Sequence, residues 1–264
     1  MTKRPRRIFA LGGGGFTSSI KDLALDHQLL SLTDATEPRI CLLPTASGDP
    51  EDQISRFYAT YRDTGARLSH VSLFRLGDLQ RPLREHLLDQ HAIYAGGGSM
   101  VNLLALWSAH EVAETLTEAW RRGVVLCGVS AGAMCWFAGG VTRSHGAPRA
   151  VTRGLGLIGG SLSVHDDVDP ERASAYRAAV AAGTLEPGWA VDDGVGLLFE
   201  DDAEPRAFSA RADTGAHHVS LVGGKIAERP LEPTQLAPDP TAAALEPSIS
   251  EWREHHAALR NRGH

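Results

Sequence analysis

The residues that could most clearly carry out a reaction are a serine and the small residues around it, Gly128-Val129-Ser130-Ala131-Gly132. This pentapeptide lies between two apolar runs, Val124-Val125-Leu126-Cys127 and Ala133-Met134-Cys135-Trp136-Phe137. The order predicts a strand, a tight turn and a helix, in which glycine lets the chain reverse and the serine hydroxyl projects from the turn. The pattern is that of a nucleophile elbow, but an ordinary glycine-rich turn between a strand and a helix would also contain it.

The serine needs a general base, because a hydroxyl is a poor nucleophile at neutral pH. The chain contains 12 histidines. His165 is the best-placed candidate, since it ends an apolar segment beyond Ser130 and is followed by polar residues. His145 and the pair His217-His218 are lesser candidates. Any of these histidines could instead be a loop residue with no chemical role.

A carboxylate must also orient the base. Asp192 and Asp193 stand before a glycine at the start of an apolar run, which places them at the mouth of a predicted strand. Asp166 and Asp167 adjoin His165, but neighbours in sequence rarely point at each other. Each of these aspartates could also be a solvated turn residue, so the residue types alone leave the acid open.

Backbone N–H groups aimed at a tetrahedral intermediate would complete a site for acyl transfer. The amide of Ala131 is the usual first donor, because it follows the nucleophile directly. Gly97 or Gly98 can supply the second, from the glycine loop that follows the apolar residues 91–95.

Apolar runs alternate with helical patterns through the first half of the chain. We predict strands at residues 8–11, 40–43, 70–74, 91–95 and 124–127, the first two of them buried. Helical spacing of apolar residues begins near Glu51 and recurs at 81–88, from 101 and from 112. Strands that alternate with helices indicate an α/β fold with a parallel sheet flanked by helices, and such sheets bind ligands at the carboxyl ends of their strands.

The pattern changes after the serine. Glycines at 139–140 and 154–160 predict hairpins or an irregular crossover, residues 170–182 predict a helix, and Gly223-Gly224 predicts the turn of a closing hairpin. We therefore place an α/β domain at residues 1–228 and a proline-rich tail at 229–264. The tail contains a predicted terminal amphipathic helix, which opens at the capping box Ser248-Ile249-Ser250-Glu251.

Composition excludes several classes of function. The 264 residues carry a formal net charge of -6, which argues against a nucleic-acid or anionic-membrane partner. No stretch is long and apolar enough to span a bilayer. Cys41, Cys127 and Cys135 lie in apolar runs without the spacing of metal ligands, so we predict free thiols in a reducing cytoplasm.

Six short motifs occur along the chain in a particular order. They are Phe9-Ala10-Leu11-Gly12-Gly13-Gly14-Gly15, Leu43-Pro44-Thr45-Ala46-Ser47-Gly48, Tyr94-Ala95-Gly96-Gly97-Gly98, Gly128-Val129-Ser130-Ala131-Gly132, residues 157–165 and Asp192-Asp193-Gly194. In this order they resemble the peptidase E (aspartyl dipeptidase) family, over about residues 7–225. Several spaced motifs in one order are more specific than the serine pentapeptide alone.

The resemblance implies a flavodoxin-like fold similar to class I glutamine amidotransferases, with serine in place of the nucleophilic cysteine, and a serine peptidase that uses no metal and no other cofactor. The family's nucleophile matches Ser130 and its base matches His165. Peptidase E has its acid soon after the nucleophile helix, where this chain reads Thr142-Arg143-Ser144-His145 without a carboxylate. Related members, including cyanophycinases, use an acid that matches the turn at Asp192-Asp193, which favours Asp193 and keeps Asp192 in reserve.

The family also implies a substrate. Peptidase E removes amino-terminal aspartate from dipeptides and holds it with an arginine on the helix after the histidine, a position that matches Arg172. The resemblance thus implies a short Asp-X peptide as substrate and a possible homodimer. A cyanophycinase-like hydrolase of a β-linked Asp-Arg polymer is one alternative. A catalytically silent protein that binds a small ligand on the same fold is another.

Overall fold

The computed structural model describes residues 4–18 and 23–238, which form two β-sheets flanked by helices. The first half of the chain alternates strands and helices, as its sequence predicts. The strands are β1 (Arg7–Leu11), β2 (Arg39–Leu43), β3 (Arg67–His70), β4 (Ala92–Ala95) and β5 (Val125–Val129). The helices are α1 (Ala24–Ser31), α2 (Glu51–Tyr61), α3 (Leu83–Leu88), α4 (Met100–Ala109) and α5 (Val112–Arg121).

These strands form the parallel part of an eight-stranded sheet. Its order is β14-β11-β10-β1-β5-β4-β2-β3, where β10 is Val195–Glu200, β11 is Arg206–Ser209 and β14 is Thr234–Gln235. Strand β10 pairs antiparallel with β1, and β11 pairs antiparallel with β10. The prediction of an α/β fold with a helix-flanked sheet is therefore confirmed, although the sheet is mixed: β10 pairs antiparallel with both of its neighbours, while β11 and β14 pair parallel.

A second sheet of six strands follows the serine turn and was not predicted. Its order is β13-β12-β9-β8-β6-β7. The strands are β6 (Phe137–His145), β7 (Ala147–Val151), β8 (Ile158–Val164), β9 (Gly188–Val191), β12 (Ala216–Val222) and β13 (Lys225–Leu231). The predicted closing hairpin is β12 and β13, and another hairpin joins β6 to β7. Helix α7 (Pro170–Ala181) packs on this sheet. Its bounds agree closely with the helix predicted at residues 170–182.

Two predicted elements differ from the structure. The third strand lies three residues earlier than predicted, because β3 is an edge strand with a polar sequence, and the apolar residues after it enter a 3-10 helix, Leu73–Asp78. The helix after Ser130 is a single turn, α6 (Ala131–Met134). It ends there because Phe137 starts β6, which pairs with β8.

The chain between residues 229 and 238 contributes to both sheets. Strand β13 continues through Arg229 to Leu231, beyond the domain boundary that we placed after residue 228, and β14 pairs with β11. Pro230 is tolerated in β13 because this strand lies at the edge of the sheet. Its missing N–H therefore costs no hydrogen bond to a strand on the outer side. The predicted terminal amphipathic helix lies outside the described residues.

Both faces of the eight-stranded sheet are buried. Side chains alternate along a strand, so Ile8 and Ala10 of β1 join one apolar cluster while Phe9 and Leu11 join the other. The predicted aromatic face of α2 packs on the second cluster through Phe57 and Tyr61. Burial on both faces explains why the parallel strands read as continuous apolar runs. Among the described helices, none is long and apolar enough to cross a membrane.

Candidate active site

Ser130 occupies a strained turn between β5 and α6. Its backbone has φ 54° and ψ -115°, a region that a residue with a side chain rarely adopts. The surrounding hydrogen bonds hold it there. Ser130 N–H donates to the Leu11 carbonyl at 3.1 Å, and the Ser130 carbonyl accepts from Ala133 N–H at 3.0 Å and Met134 N–H at 2.9 Å.

The flanking glycines allow two backbone segments to approach the turn. A Cβ at position 128 would lie 2.0 Å from the Gly132 carbonyl oxygen, and one at position 132 would lie 2.2 Å from the Ala95 carbonyl oxygen. Both distances are far below van der Waals contact, so neither position accepts a side chain without moving the serine. The small residues of the pentapeptide are thus explained by packing around Ser130.

His165 follows β8, and its Nε2 lies 3.0 Å from Ser130 Oγ. The residue has a positive φ of 60°, and its carbonyl accepts from Asp169 N–H at 2.9 Å. This turn directs the ring back toward β5 of the other sheet. None of the rival histidines, His145, His217 and His218, makes a hydrogen bond to Ser130 in the described part of the chain.

The two neighbouring aspartates have different partners. Asp193 Oδ1 hydrogen-bonds to His165 Nδ1. Asp192 Oδ2 instead accepts from Gly215 N–H at 2.9 Å, and burial raises the pKa of the Asp192 carboxyl. Ser130, His165 and Asp193 therefore form one hydrogen-bonded chain, and Asp192 lies outside it.

The hydrogen-bonded chain spans the junction of the two sheets. Ser130 follows a strand of the eight-stranded sheet, and His165 follows a strand of the six-stranded sheet. Asp193 lies in the turn between β9 and β10, where the backbone passes from the second sheet to the first. The geometry of the site thus depends on how the sheets meet.

Backbone N–H groups lie beside Ser130. A Cβ at Gly97 would lie 3.4 Å from Ser130 Cβ, so this glycine is a direct neighbour of the serine. Gly98 has φ 143° and packs against the Ala46 carbonyl. Within residues 4–18 and 23–238, the N–H groups of Gly97, Gly98 and Ala131 donate to no backbone or side-chain acceptor. These three N–H groups therefore remain available as hydrogen-bond donors.

Arg172 lies in the first turn of α7 with a side chain that is only 9% exposed. Its Nη1 donates to the Val164 carbonyl at 3.5 Å, next to His165. Its Nε lies 3.3 Å from Asp169 Oδ2 without hydrogen-bonding geometry. Burial lowers the pKa of Arg172, whereas the charges of Asp169 and Asp193 oppose that effect. The guanidinium is thus a buried cation near the acid of the hydrogen-bonded chain.

Sequence reasoning missed the ion pair between Arg143 and Asp169, the residue that lies beside Arg172. Arg143 contacts both carboxylate oxygens of Asp169 at 2.7 Å, and this hydrogen bonding is the main reason why the pKa of Asp169 is lowered to about 2. Asp169 also caps α7 by accepting from Arg172 N–H at 3.1 Å. The Asp-Pro pair is a readable helix-start signal, but no sequence pattern pairs it with Arg143.

Gly13 packs directly against the side chain of Asp193. A Cβ at this position would lie 2.2 Å from Asp193 Oδ1 and 2.6 Å from its Cγ. The Gly13 carbonyl also accepts from Gly194 N–H at 3.1 Å. The glycine-rich loop after β1 therefore abuts the acid turn and leaves room for its carboxylate.

In the described residues, none of the three thiols hydrogen-bonds to the side chains of Ser130, His165 or Asp193. Cys41, Cys127 and Cys135 are buried and free, and burial raises the pKa of Cys41 to about 12 and the pKa values of the other two as well. No group of three or more His, Cys, Asp or Glu side chains in the described ranges could hold a metal ion.

Known proteins share both the sequence and the fold of this chain. The model of peptidase family S51 matches residues 8–204. An uncharacterized peptidase, YgaJ, from Bacillus subtilis (strain 168) is 40% identical over 226 residues, which is 86% of this chain and 97% of YgaJ.

Two crystal structures have similar folds. A peptidase from an acI-B1 Actinobacterium has a TM-score of 0.66 at 19% identity and covers 90% of this chain and 98% of its own. A putative peptidase E protein from Listeria monocytogenes EGD-e has a TM-score of 0.57 at 13% identity and covers 78% of this chain and 100% of its own. From the family match and the 40% identical relative, the chain belongs to peptidase family S51, the serine peptidases of the peptidase E type.

Proposed function

We propose that this peptidase cleaves Asp-X dipeptides by acyl transfer, with Ser130 as nucleophile, His165 as general base and Asp193 as the orienting acid. The observation that carries the proposal is the hydrogen-bonded chain from Ser130 Oγ through both nitrogens of His165 to Asp193. It has the connectivity that activates a serine in unrelated hydrolases.

The reaction proceeds through two tetrahedral intermediates. Ser130 Oγ attacks the peptide carbonyl carbon while His165 Nε2 takes the hydroxyl proton. The resulting oxyanion accepts hydrogen bonds from Ala131 N–H and from Gly97 or Gly98 N–H. Collapse breaks the C–N bond, His165 gives its proton to the leaving amine, and an acyl-enzyme ester is left. Water then attacks the ester carbonyl while His165 Nε2 takes a proton from it. Collapse of the second intermediate breaks the C–O bond to Ser130, His165 returns the proton to Ser130 Oγ, and the free aspartate product leaves.

Arg172 supports the choice of an acidic first residue. Its guanidinium is buried near Asp193, and its Nη2 has no acceptor among the described residues. A buried guanidinium with a free donor edge suits a carboxylate, because charge-assisted bonds are strongest where water is excluded. Asp169 and its partner Arg143 fix the first turn of α7, from which Arg172 extends.

Replacing Arg172 with methionine is expected to lower kcat/KM for Asp-Leu by about 10- to 100-fold, since one or more hydrogen bonds between charged groups are lost. The loss for Asn-Leu, whose first side chain is uncharged, should be much smaller. Steady-state hydrolysis of both dipeptides measures the ratio. Arg177→Met is the matched control, because Arg177 lies on the same helix and pairs with Asp166 and Glu228. Equal losses for both dipeptides would show that Arg172 does not read the acidic side chain.

Gly13→Ala is expected to lower kcat by about 100-fold, because the added methyl group displaces the Asp193 carboxylate by roughly an ångström. Kinetics on the preferred dipeptide measure the loss. Gly159→Ala is a matched control, since a Cβ there meets nothing within 4 Å. A Gly13→Ala enzyme with the parent kcat would contradict the placement of the acid.

A second candidate is cyanophycinase-like release of dipeptides from a β-linked Asp-Arg polymer. It is favoured by the acid at Asp193, because the cyanophycinases that this chain resembles use an acid in the matching turn. Assays of Asp-X dipeptides and of the polymer, side by side with one enzyme preparation, separate the two. We also propose a cytoplasmic location, since the three buried thiols are free.

A further inference from the structure

The backbone of Asp193 is held on both sides of its Cα. Asp193 N–H donates to Asp167 Oδ1 at 2.8 Å, and the Asp193 carbonyl accepts from Arg211 Nη1 at 3.1 Å. The same Arg211 Nη1 lies 3.1 Å from Asp167 Oδ2, which closes a three-residue ring of contacts. The side chain of Arg211 also packs over Gly194, where a Cβ would lie 2.7 Å from its Cδ.

This ring joins three separate segments of the chain. Asp167 lies two residues after His165, Asp193 lies in the turn between the sheets, and Arg211 follows β11. With the peptide groups on either side of Asp193 fixed, only its side-chain torsions remain to place the carboxylate. Asp167 thus links His165 to Asp193, because it lies in the loop of His165 and accepts a hydrogen bond from Asp193 N–H.

We propose that Asp167 and Arg211 are positioning residues that hold Asp193 against His165. The proposal rests on the proposed function, because it takes Asp193 to be the acid that orients the base. A purely stabilising role is the competing explanation. Arg211 is 47% exposed, and a half-exposed ion pair contributes little to the stability of a fold, so the two roles predict different results.

A matched control lies one residue away. Asp166 belongs to the same loop and pairs with Arg177 at 2.9 Å through both carboxylate oxygens, but it makes no hydrogen bond to Asp193 in the described residues. Asp166→Ala therefore removes an equally close ion pair from the loop without releasing the acid turn.

The experiment compares Asp167→Ala, Asp167→Asn, Arg211→Ala and Asp166→Ala in the full-length enzyme. We expect kcat for the preferred dipeptide to fall by about 10- to 100-fold in Asp167→Ala and Arg211→Ala, the usual cost of a small misplacement at a reacting centre. Asp167→Asn should lose less, because the amide oxygen can still accept from Asp193 N–H. Asp166→Ala should keep the parent kcat.

Two further readouts separate positioning from stability. In an Asp193→Asn background, Asp167→Ala should have almost no further effect on kcat, because its influence passes through that carboxylate. The low-field proton NMR resonance of the His165–Asp193 hydrogen bond should shift or vanish in Asp167→Ala and persist in Asp166→Ala. This resonance reports the geometry whether or not a substrate has been found.

The proposal is overturned if Asp167→Ala and Arg211→Ala keep both the parent kcat and the parent resonance, or if Asp167→Ala costs the same factor with and without Asp193. Should Asp167→Ala not fold, Asp167→Asn and Arg211→Ala carry the test. A parent enzyme that shows the resonance but cleaves no peptide contradicts the proposed function alone. An active enzyme that needs Ser130 but keeps the parent kcat and the parent resonance in Asp167→Ala and Arg211→Ala contradicts only the positioning role.

Discussion

Replacing Ser130 with alanine is expected to lower kcat on the preferred dipeptide by about 10⁶-fold, because without the hydroxyl no acyl-enzyme can form. The fold should survive, since Ser130 Oγ contacts His165 and the strained turn is held by main-chain hydrogen bonds that alanine retains. Kinetics and the thermal unfolding midpoint of the same preparation measure both statements.

Chemical labelling provides an independent check of Ser130. An active-site-directed phosphonate should label the parent enzyme at Ser130 and leave Ser130→Ala unlabelled, as read by mass spectrometry of the peptides. Ser220→Ala serves as the control, because that hydroxyl bonds the Ala227 carbonyl within the β12–β13 hairpin. A parent that resists the label would favour the silent ligand-binding alternative. Undiminished turnover in Ser130→Ala would exclude Ser130 as the nucleophile.

Asp193→Asn is expected to lower kcat by about 10⁴-fold while leaving the geometry nearly unchanged. The asparagine amide can donate to His165 Nδ1, which moves the ring proton to Nε2. In that tautomer the nitrogen facing Ser130 carries a proton and cannot accept the one from the hydroxyl. Steady-state kinetics and the crystal structure of the variant test both parts.

Asp192→Asn is the matched control for this variant. Its amide oxygen can still accept from Gly215 N–H, the bond that the Asp192 carboxylate makes. We expect its kcat to stay within a few-fold of the parent, as for a conservative change at a satisfied hydrogen bond. The opposite pattern, with a large loss in Asp192→Asn and none in Asp193→Asn, would assign the acid to Asp192.

The turn that contains Asp193 lies at the junction of the two sheets. The turn of Ser130 follows β5 and hydrogen-bonds to Leu11 of β1, whereas His165 follows a strand of the second sheet. Asp193 lies in the turn that connects the two sheets. Any change in how the sheets pack therefore changes the distance between His165 and Asp193. Contacts from Gly13, Asp167 and Arg211 converge on this turn.

The sequence determined the local features of this protein. Apolar runs and glycines predict β1, β2, β4 and β5, and the serine turn with its small neighbours, because strand burial and tight turns depend on residues close in the chain. The position of His165 at the end of an apolar segment also follows from local pattern. Strand β3 was predicted three residues too late in the chain, because its polar sequence contains no apolar run.

Only the tertiary structure decided which side chains meet. Residue type and spacing do not separate Asp192 from Asp193, and only the family resemblance favours Asp193. In the structure their partners differ, because Gly215 N–H bonds Asp192 and His165 bonds Asp193. The six-stranded sheet and the Arg143–Asp169 pair likewise depend on contacts between distant segments. Such contacts form when two sheets pack, and neither the spacing nor the type of the residues records them.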